Sequence, residues 1–342
     1  MLRPVSFRTV FPMYGDIPIW LALAFLVGGL AALAWSSNLF IDGAAALAKS
    51  FGISPFIVGM VVIGFGTSAP ELCVSTMSGL SGHSDLSLGN AYGSCVFNIA
   101  AILGVAALIN PFVVKKATAW VAAPVLVAIS ALSWFLLRDG ACSRGDGALL
   151  LCLFSVLLPL YCWFDQKFSG LAPEEDAAVA GKTSLPKAFV QLVAGLGVLV
   201  GASHILVWGA VDVARALGVS ELTIGLTIVA AGTSLPELAS AVAAARKNEH
   251  EFVLGNIIGS NFFNTLTVVG LATSISASEG FSRSILTRDI PAMAALSLSI
   301  LAFGVNWRNP REEGRIGRRL GVLWLVSFAV YMFFVLKDAT AA

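Results

Sequence analysis

GTSAPEL at residues 66–72 returns as GTSLPEL at 232–238, 166 positions later. Both copies lie inside long apolar stretches, and both put hydroxyls, a proline and a glutamate where hydrocarbon makes them costly. The offset holds on either side of this pair. GNAYGSCVFN at 89–98 aligns with GNIIGSNFFN at 255–264, GISPFIVG at 52–59 with GVSELTIG at 218–225, and LFIDGA at 39–44 with ILVWGA at 205–210, all without a gap. One register kept across four segments marks an internal duplication.

The chain around these motifs is built for lipid. Of its 342 residues 57% are hydrophobic and 12% charged, and the mean hydropathy is +0.86, which excludes an ordinary soluble domain. A helix needs roughly 20 apolar residues to cross a bilayer. Ten stretches qualify, near 17–47, 54–80, 86–109, 117–137, 147–164, 187–214, 220–245, 252–277, 288–306 and 317–336. They are continuously apolar and rich in Leu, Ala and Val, whereas a barrel would alternate in segments of about 10 residues. The expected fold is an all-α polytopic membrane protein of ten transmembrane helices. Residues 1–165 form the first five-helix repeat, 166–186 a short linker with Pro173, Glu174, Glu175, Asp176, Gly181 and Pro186, and 187–342 the second repeat. An odd number of spans per copy makes the second copy enter from the opposite face. Inverted repeats of this kind place a transporter's site near the midplane, where interrupted helices meet.

The net charge of +1 points to no nucleic acid or acidic partner, and no obligate protein partner is evident. Charge placement sets orientation. The termini and the loops near 81–86, 138–146, 215–219 and 278–288 hold eight of the basic residues, and the opposite side holds the other thirteen, among them Lys115, Lys116, Lys182, Lys247 and Arg308 to Arg319. The positive-inside rule puts the second set, with the 166–186 linker, in the cytoplasm, and both termini outside a plasma (inner) membrane. The first sixteen residues lack a signal-peptide core, so the first span reads as uncleaved. Cys73, Cys95, Cys142, Cys152 and Cys162 show no metal-ligand spacing and read as packing residues.

The chemistry lies in the repeated motifs. Pro70 and Pro236 cannot donate to the carbonyls of Gly66 and Gly232 four residues earlier, so each opens its helix and frees a carbonyl. Such backbone survives at membrane depth only inside protein or beside a wet cavity. Thr67, Ser68 and Glu71 share one helix face, as do Thr233, Ser234 and Glu237. One span later Ser94 with Asn98, and Ser260 with Asn264, form i, i+4 pairs of oxygens. Brought together across a pseudo-two-fold axis, these groups form an all-oxygen cage. Hard, flexible oxygen ligation suits Ca2+, and Na+ can use the same atoms. Two carboxylates balance one Ca2+ or two Na+, so mutually exclusive occupation is the physical basis of exchange. No basic side chain stands in the middle of another span to pair with either glutamate.

GTSxPEL followed by GNxxGSxxFN, present twice, resembles the alpha repeats of the Na+/Ca2+ exchangers in the calcium/cation antiporter superfamily, and the resemblance covers nearly the whole chain. The alpha-1 motif spans 64–98 and the alpha-2 motif 230–264. The resemblance implies a secondary active transporter, not an enzyme, with no cofactor. It implies alternating access by sliding of the first and sixth helices against the other eight, and exchange of several Na+ for one Ca2+. It also implies that Glu71 and Glu237 are shared ligands and that Thr67, Ser68, Thr233, Ser234, Ser94, Asn98, Ser260 and Asn264 supply further side-chain oxygens. Gly64 and Ala230 would add carbonyls. Asn264 stands where K+-carrying exchangers have Asp, which implies exchange without K+. Cys95 departs from its counterpart Asn261 and carries no functional weight at this level.

Rival readings remain open from the residues alone. A Ca2+/H+ exchanger of the same superfamily would protonate the glutamates in place of binding Na+. A passive cation channel needs no counter-ion. An intramembrane hydrolase would use Ser203, His204 or His83, residues whose expected roles are structural, as is that of Asp42 near one end of the first span.

Overall fold

The computed structural model describes residues 17–80, 84–168, 184–218, 228, 230–275, 277, 280–309 and 312–341. Its helices are α1 (Ile19–Phe51), α2 (Pro55–Thr67), α3 (Ala69–Leu80), α4 (Ser84–Ile109), α5 (Thr118–Leu137), α6 (Arg144–Phe168), α7 (Leu185–Ala216), α8 (Ala230–Thr233), α9 (Leu235–Arg246), α10 (His250–Ile275), α11 (Ile285–Gly304) and α12 (Arg318–Ala341). Among the described residues eight of these are long and apolar enough to cross a membrane, and the bent pair α2–α3 makes a ninth. The span expected near 220–245 lies partly outside the described residues; α8 and α9 are its described portion. The 166–186 linker and His83 also fall mostly or wholly outside them.

Local chemistry sets the helix ends. Gly52 closes α1 with φ +63°, its N–H returning toward the carbonyls of Ala48 and Lys49, a conformation that glycine adopts without a Cβ clash. Two residues on, Ser54 Oγ accepts from the Ile57 N–H at 3.2 Å, with Pro55 at the start of α2. The prolines of the repeated motif act as expected. The helix stops at Thr67, Ser68 takes φ −81° and ψ 3°, and α3 leaves at 46° to α2. In the second copy Ser234 takes φ −95° and ψ 11° between α8 and α9.

Burial sorts the bundle into centre and rim. The apolar windows of α10 and α4 are 94% and 72% buried, against 17% for α6 and α12, so the two helices carrying the GNxxGSxxFN motif run through the middle. On the rim, Trp20, Val27 and Leu30 of α1 and Phe333 of α12 point outward, as suits a lipid-facing surface. Among the described residues five wide π-type turns interrupt the regular helices, at Val58–Ile63 in α2, at Asn98–Leu103 in α4 and Phe263–Val268 in α10, and at Thr118–Ala122 in α5 and Ile285–Asp289 in α11.

The all-α expectation misses one feature. β1 (Phe112–Val114) pairs antiparallel with β2 (Gly314–Ile316), Phe112 opposite Ile316. Three-residue strands are too short to show a period of two in sequence. The ribbon joins the connection after α4 to the one before α12. The same end of the bundle holds Lys115 Nζ 2.7 Å from Glu251, and Asn110 donating to Asn248 at 2.6 Å. At the other end the Ser282 N–H reaches Asp85, and Arg288 bridges Asp289 and Asp338 at 2.7 and 2.6 Å.

Candidate cation site

Glu71 and Glu237 sit in the first turns of α3 and α9, each two residues past a helix start. Restarting the helix there turns free N–H groups and the positive end of its dipole toward the carboxylates. Both side chains are fully buried.

Each glutamate is held from the other repeat. Ser68 Oγ donates to Glu237 Oε1 at 3.1 Å, and Ser234 Oγ donates to Glu71 Oε1 at 2.8 Å while lying 3.2 Å from Ser94 Oγ. Thr67 and Ser260 flank the Glu237 carboxylate, and Thr233 flanks that of Glu71. Thr67 Oγ1 donates to the Ile63 carbonyl at 2.9 Å, and Ser260 Oγ reaches the Gly64 carbonyl at 3.4 Å. Thr67, Ser68, Ser94, Asn98, Thr233, Ser234, Ser260 and Asn264 are all buried. Gly64 is buried in α2 and Ala230 opens α8. The structure thus brings the two carboxylates together with their hydroxyls. It places Asn98 and Asn264 at the wide turns of α4 and α10, whose altered pitch re-aims a side chain out of the regular helical face.

Several acceptors in this set have no hydrogen-bond partner among the described residues. They are Oε2 of Glu71, Oε2 of Glu237, Oδ1 of Asn98 and Oδ1 of Asn264. Buried oxygens without donors are rare in folded proteins, and carboxylate and amide oxygens are what a hard cation takes as ligands. No group of three His, Cys, Asp or Glu is arranged for a metal among the described residues.

Three residues outside the expected ligand set, Asn90, Asn256 and Asn261, line the cage. Asn90 Nδ2 donates to the Glu71 carbonyl at 3.4 Å and to Ser75 Oγ at 2.9 Å, and its repeat partner Asn256 donates to the Glu237 carbonyl at 3.3 Å. Both belong to the duplicated GN dipeptide, so the repeat itself was the available signal. Asn261 is the third. Its Oδ1 accepts from Asn98 Nδ2 at 3.0 Å and its Nδ2 donates to the Cys95 carbonyl at 3.3 Å. Occupying the Asn98 amide nitrogen leaves Asn98 Oδ1 as the unpaired atom. Cys95 stands in the equivalent position and cannot do this for Asn264, whose amide is unpartnered at both ends among the described residues. The Cys95/Asn261 difference therefore gives the two repeat-related amides, Asn98 and Asn264, different hydrogen-bond partners. Asp42 pairs with Lys247 Nζ at 2.6 Å, and Ser203 and His204 lie on α7 with Ser203 bonded to backbone. The five cysteines are free thiols.

Comparison with known proteins agrees with this geometry. The family model described as sodium/calcium exchanger protein matches residues 21–163 and 187–337. The inner membrane protein YrbG of Escherichia coli (strain K12) is 37% identical over 317 residues, covering 91% of this chain and 96% of that one. The sodium/calcium exchanger MaX1 of Methanosarcina acetivorans is 28% identical over 352 residues, covering 91% and 98%. The structure of the sodium-calcium exchanger NCX_Mj soaked with zero Na+ and Ca2+ superposes with a TM-score of 0.79 at 29% identity, covering 92% of this chain and 99% of that one. With the duplicated motif, the paired buried glutamates and a match spanning both halves, the chain belongs to the sodium/calcium exchanger family of membrane antiporters.

Proposed function

We propose that the protein exchanges Na+ for Ca2+ across a plasma membrane, without K+ and in the direction of Ca2+ export. In this reading ten helices form two inverted repeats, the termini lie outside and the 166–186 linker lies in the cytoplasm. Glu71 and Glu237 are ligands shared by both ions, with Thr67, Ser68, Ser94, Asn98, Thr233, Ser234, Ser260, Asn264 and the carbonyls of Gly64 and Ala230 completing the cage. The observation that carries the reading is the set of buried oxygens, unpartnered among the described residues, on two repeat-related pairs, Glu71 with Glu237 and Asn98 with Asn264. Two formal charges in that set match one Ca2+, and the same two are neutralised by two Na+, so the ions compete for one place. Further Na+ would rest on the hydroxyls and carbonyls around it.

Radioactive calcium uptake into proteoliposomes under separately imposed Na+, K+ and H+ gradients tests this. The expected result is uptake driven by an outward Na+ gradient, indifferent to K+, and abolished in Glu71→Gln. Uptake driven equally by a pH gradient alone would move the coupling to protons, and movement without any counter-ion would make the protein a channel.

A further inference from the structure

The molecule contains two bodies, and the contacts at the centre of each are repeated. α1 and α7 lie face to face, and glycines set their approach. A Cβ on Gly29 would stand 2.9 Å from Leu206 Cβ, and one on Gly195 2.7 Å from the Phe40 nitrogen. Gly43 faces Leu192 and Ala188 as Gly209 faces Leu26 and Ala22. Every residue in one of these contacts lies 166 positions from its counterpart in the other. In the body holding the carboxylates the contacts of the glutamates follow the same rule, Ser68 with Glu237 mirroring Ser234 with Glu71, and Asn90 with Glu71 mirroring Asn256 with Glu237, while the amides of Asn98 and Asn264 differ.

Where the two bodies meet, the rule fails. Ser203 Oγ of α7 donates at 2.9 Å to the Gly232 carbonyl, which Pro236 leaves without a helical donor. Ser37, its counterpart on α1, turns back on its own helix and donates to the Ala34 carbonyl at 3.0 Å. The nearest side chain to Gly232 is Val207, whereas the nearest to Gly66 is Leu196 and not Ile41, the counterpart of Val207. Asp42 of α1 holds Lys247 beyond the end of α9, and the positions related to that pair are Trp208 and Ser81, which carry no charge. A symmetric body seated asymmetrically on another has a second seat of the same construction, reached by exchanging the roles of the repeats.

We propose that Ser37 and Ser203 are a matched pair of positioning hydroxyls, Ser203 capping the Gly232 carbonyl in the seating seen here and Ser37 capping the Gly66 carbonyl in the opposite one. The proposal rests on the antiport reading above and assigns each access state its own cap. A buried carbonyl left without a donor is costly, so the cap made in one seating holds the α1–α7 pair there, and an equivalent cap meets it at the other. The exchange of one bond for its twin separates the two states by a barrier without favouring either.

The Asp42–Lys247 contact supplies a reporter. In a chain whose five native cysteines are replaced by alanine, Asp42→Cys with Lys247→Cys is cross-linked by a short bis-thiol reagent in the present seating. Relative to that parent, adding Ser203→Ala should lower the cross-linked to uncross-linked ratio about fivefold, and adding Ser37→Ala should raise it about fivefold. Combining both replacements should return the ratio to the parent's. Opposite shifts with cancellation are not produced by loosened packing. Shifts in one direction, or none, overturn the proposal. If the unaltered protein moves no Ca2+ in response to a Na+ gradient, the antiport reading fails, and the cross-linking comparison still decides whether the serines select between two seatings.

Discussion

Replacing Glu237 by Gln removes one charge from the cage and little else. The new amide oxygen can take the bond that Ser68 Oγ donates to Oε1 at 3.1 Å, and the backbone carbonyl keeps Asn256 Nδ2 at 3.3 Å. Ca2+ then meets one carboxylate where it met two. Loss of one fully desolvated charged contact costs about 3 kcal/mol, which at 1.4 kcal/mol per decade is about a hundredfold in Kd. A ligand at 100 times its Kd stabilises the folded state by about 2.7 kcal/mol, and a ligand at its Kd by about 0.4 kcal/mol. At a Ca2+ concentration that gives the unaltered protein the larger figure, the variant therefore keeps only the smaller one. Tryptophan fluorescence during thermal unfolding in detergent, with and without Ca2+, reads the difference. Without Ca2+ the variant should melt at or above the unaltered protein, because an uncompensated buried charge has gone while its hydrogen bonds remain. A variant that keeps the whole Ca2+-dependent rise would refute Glu237 as a ligand. One that is already unstable without Ca2+ would make Glu237 a structural acid.

Asn261→Ala removes the acceptor of Asn98 Nδ2 and should weaken Ca2+ binding about tenfold by freeing that amide to turn; isothermal titration reads it. Gly259→Ala drives a Cβ into the Met60 backbone of α2 and should lower stability by about 1–3 kcal/mol, whereas Gly89→Ala, which meets nothing within 4 Å, should leave the melting temperature unchanged. Arg288→Ala removes the charged partner of buried Asp289 at 2.7 Å and leaves it the Tyr331 hydroxyl at 3.0 Å; losing the opposite charge should cost about 3 kcal/mol, read as a lower melting temperature with unchanged Ca2+ affinity.

The sequence made the duplication, the helix breaks and the two glutamates legible because each is a local anomaly: a charge, a proline or a hydroxyl in an apolar run. It left Asn90 and Asn256 unread because they bond to backbone carbonyls of α3 and α9, a contact between helices that no spacing within one helix announces. The wide turns at Asn98 and Phe263 are likewise invisible, since an i→i+5 turn has no residue signature comparable to a proline. Cys95 against Asn261 was visible as a difference, but its meaning lies in the neighbours it meets. Only the placement of Asn261 beside Asn98 shows that one repeat fixes its amide and the other does not.

That difference, with Asp42 and Lys247, separates what the repeat must conserve from what it is free to vary. If the two halves were identical, the two seatings of the α1–α7 pair would be equal in energy, and neither access state would predominate without ions. An ion pair exposed to solvent on both partners, as Asp42 and Lys247 are at 57% and 29%, contributes about 0–1 kcal/mol. At RT near 0.6 kcal/mol this amounts to at most about a fivefold bias toward the seating seen here. A bias of that size sets the resting state, yet a cation bound at the cage can override it, because closing on a divalent ion engages two carboxylates at once. Under the proposed antiport, the asymmetric contacts at the seam set the resting population, and the symmetric contacts around Glu71 and Glu237 carry the exchange.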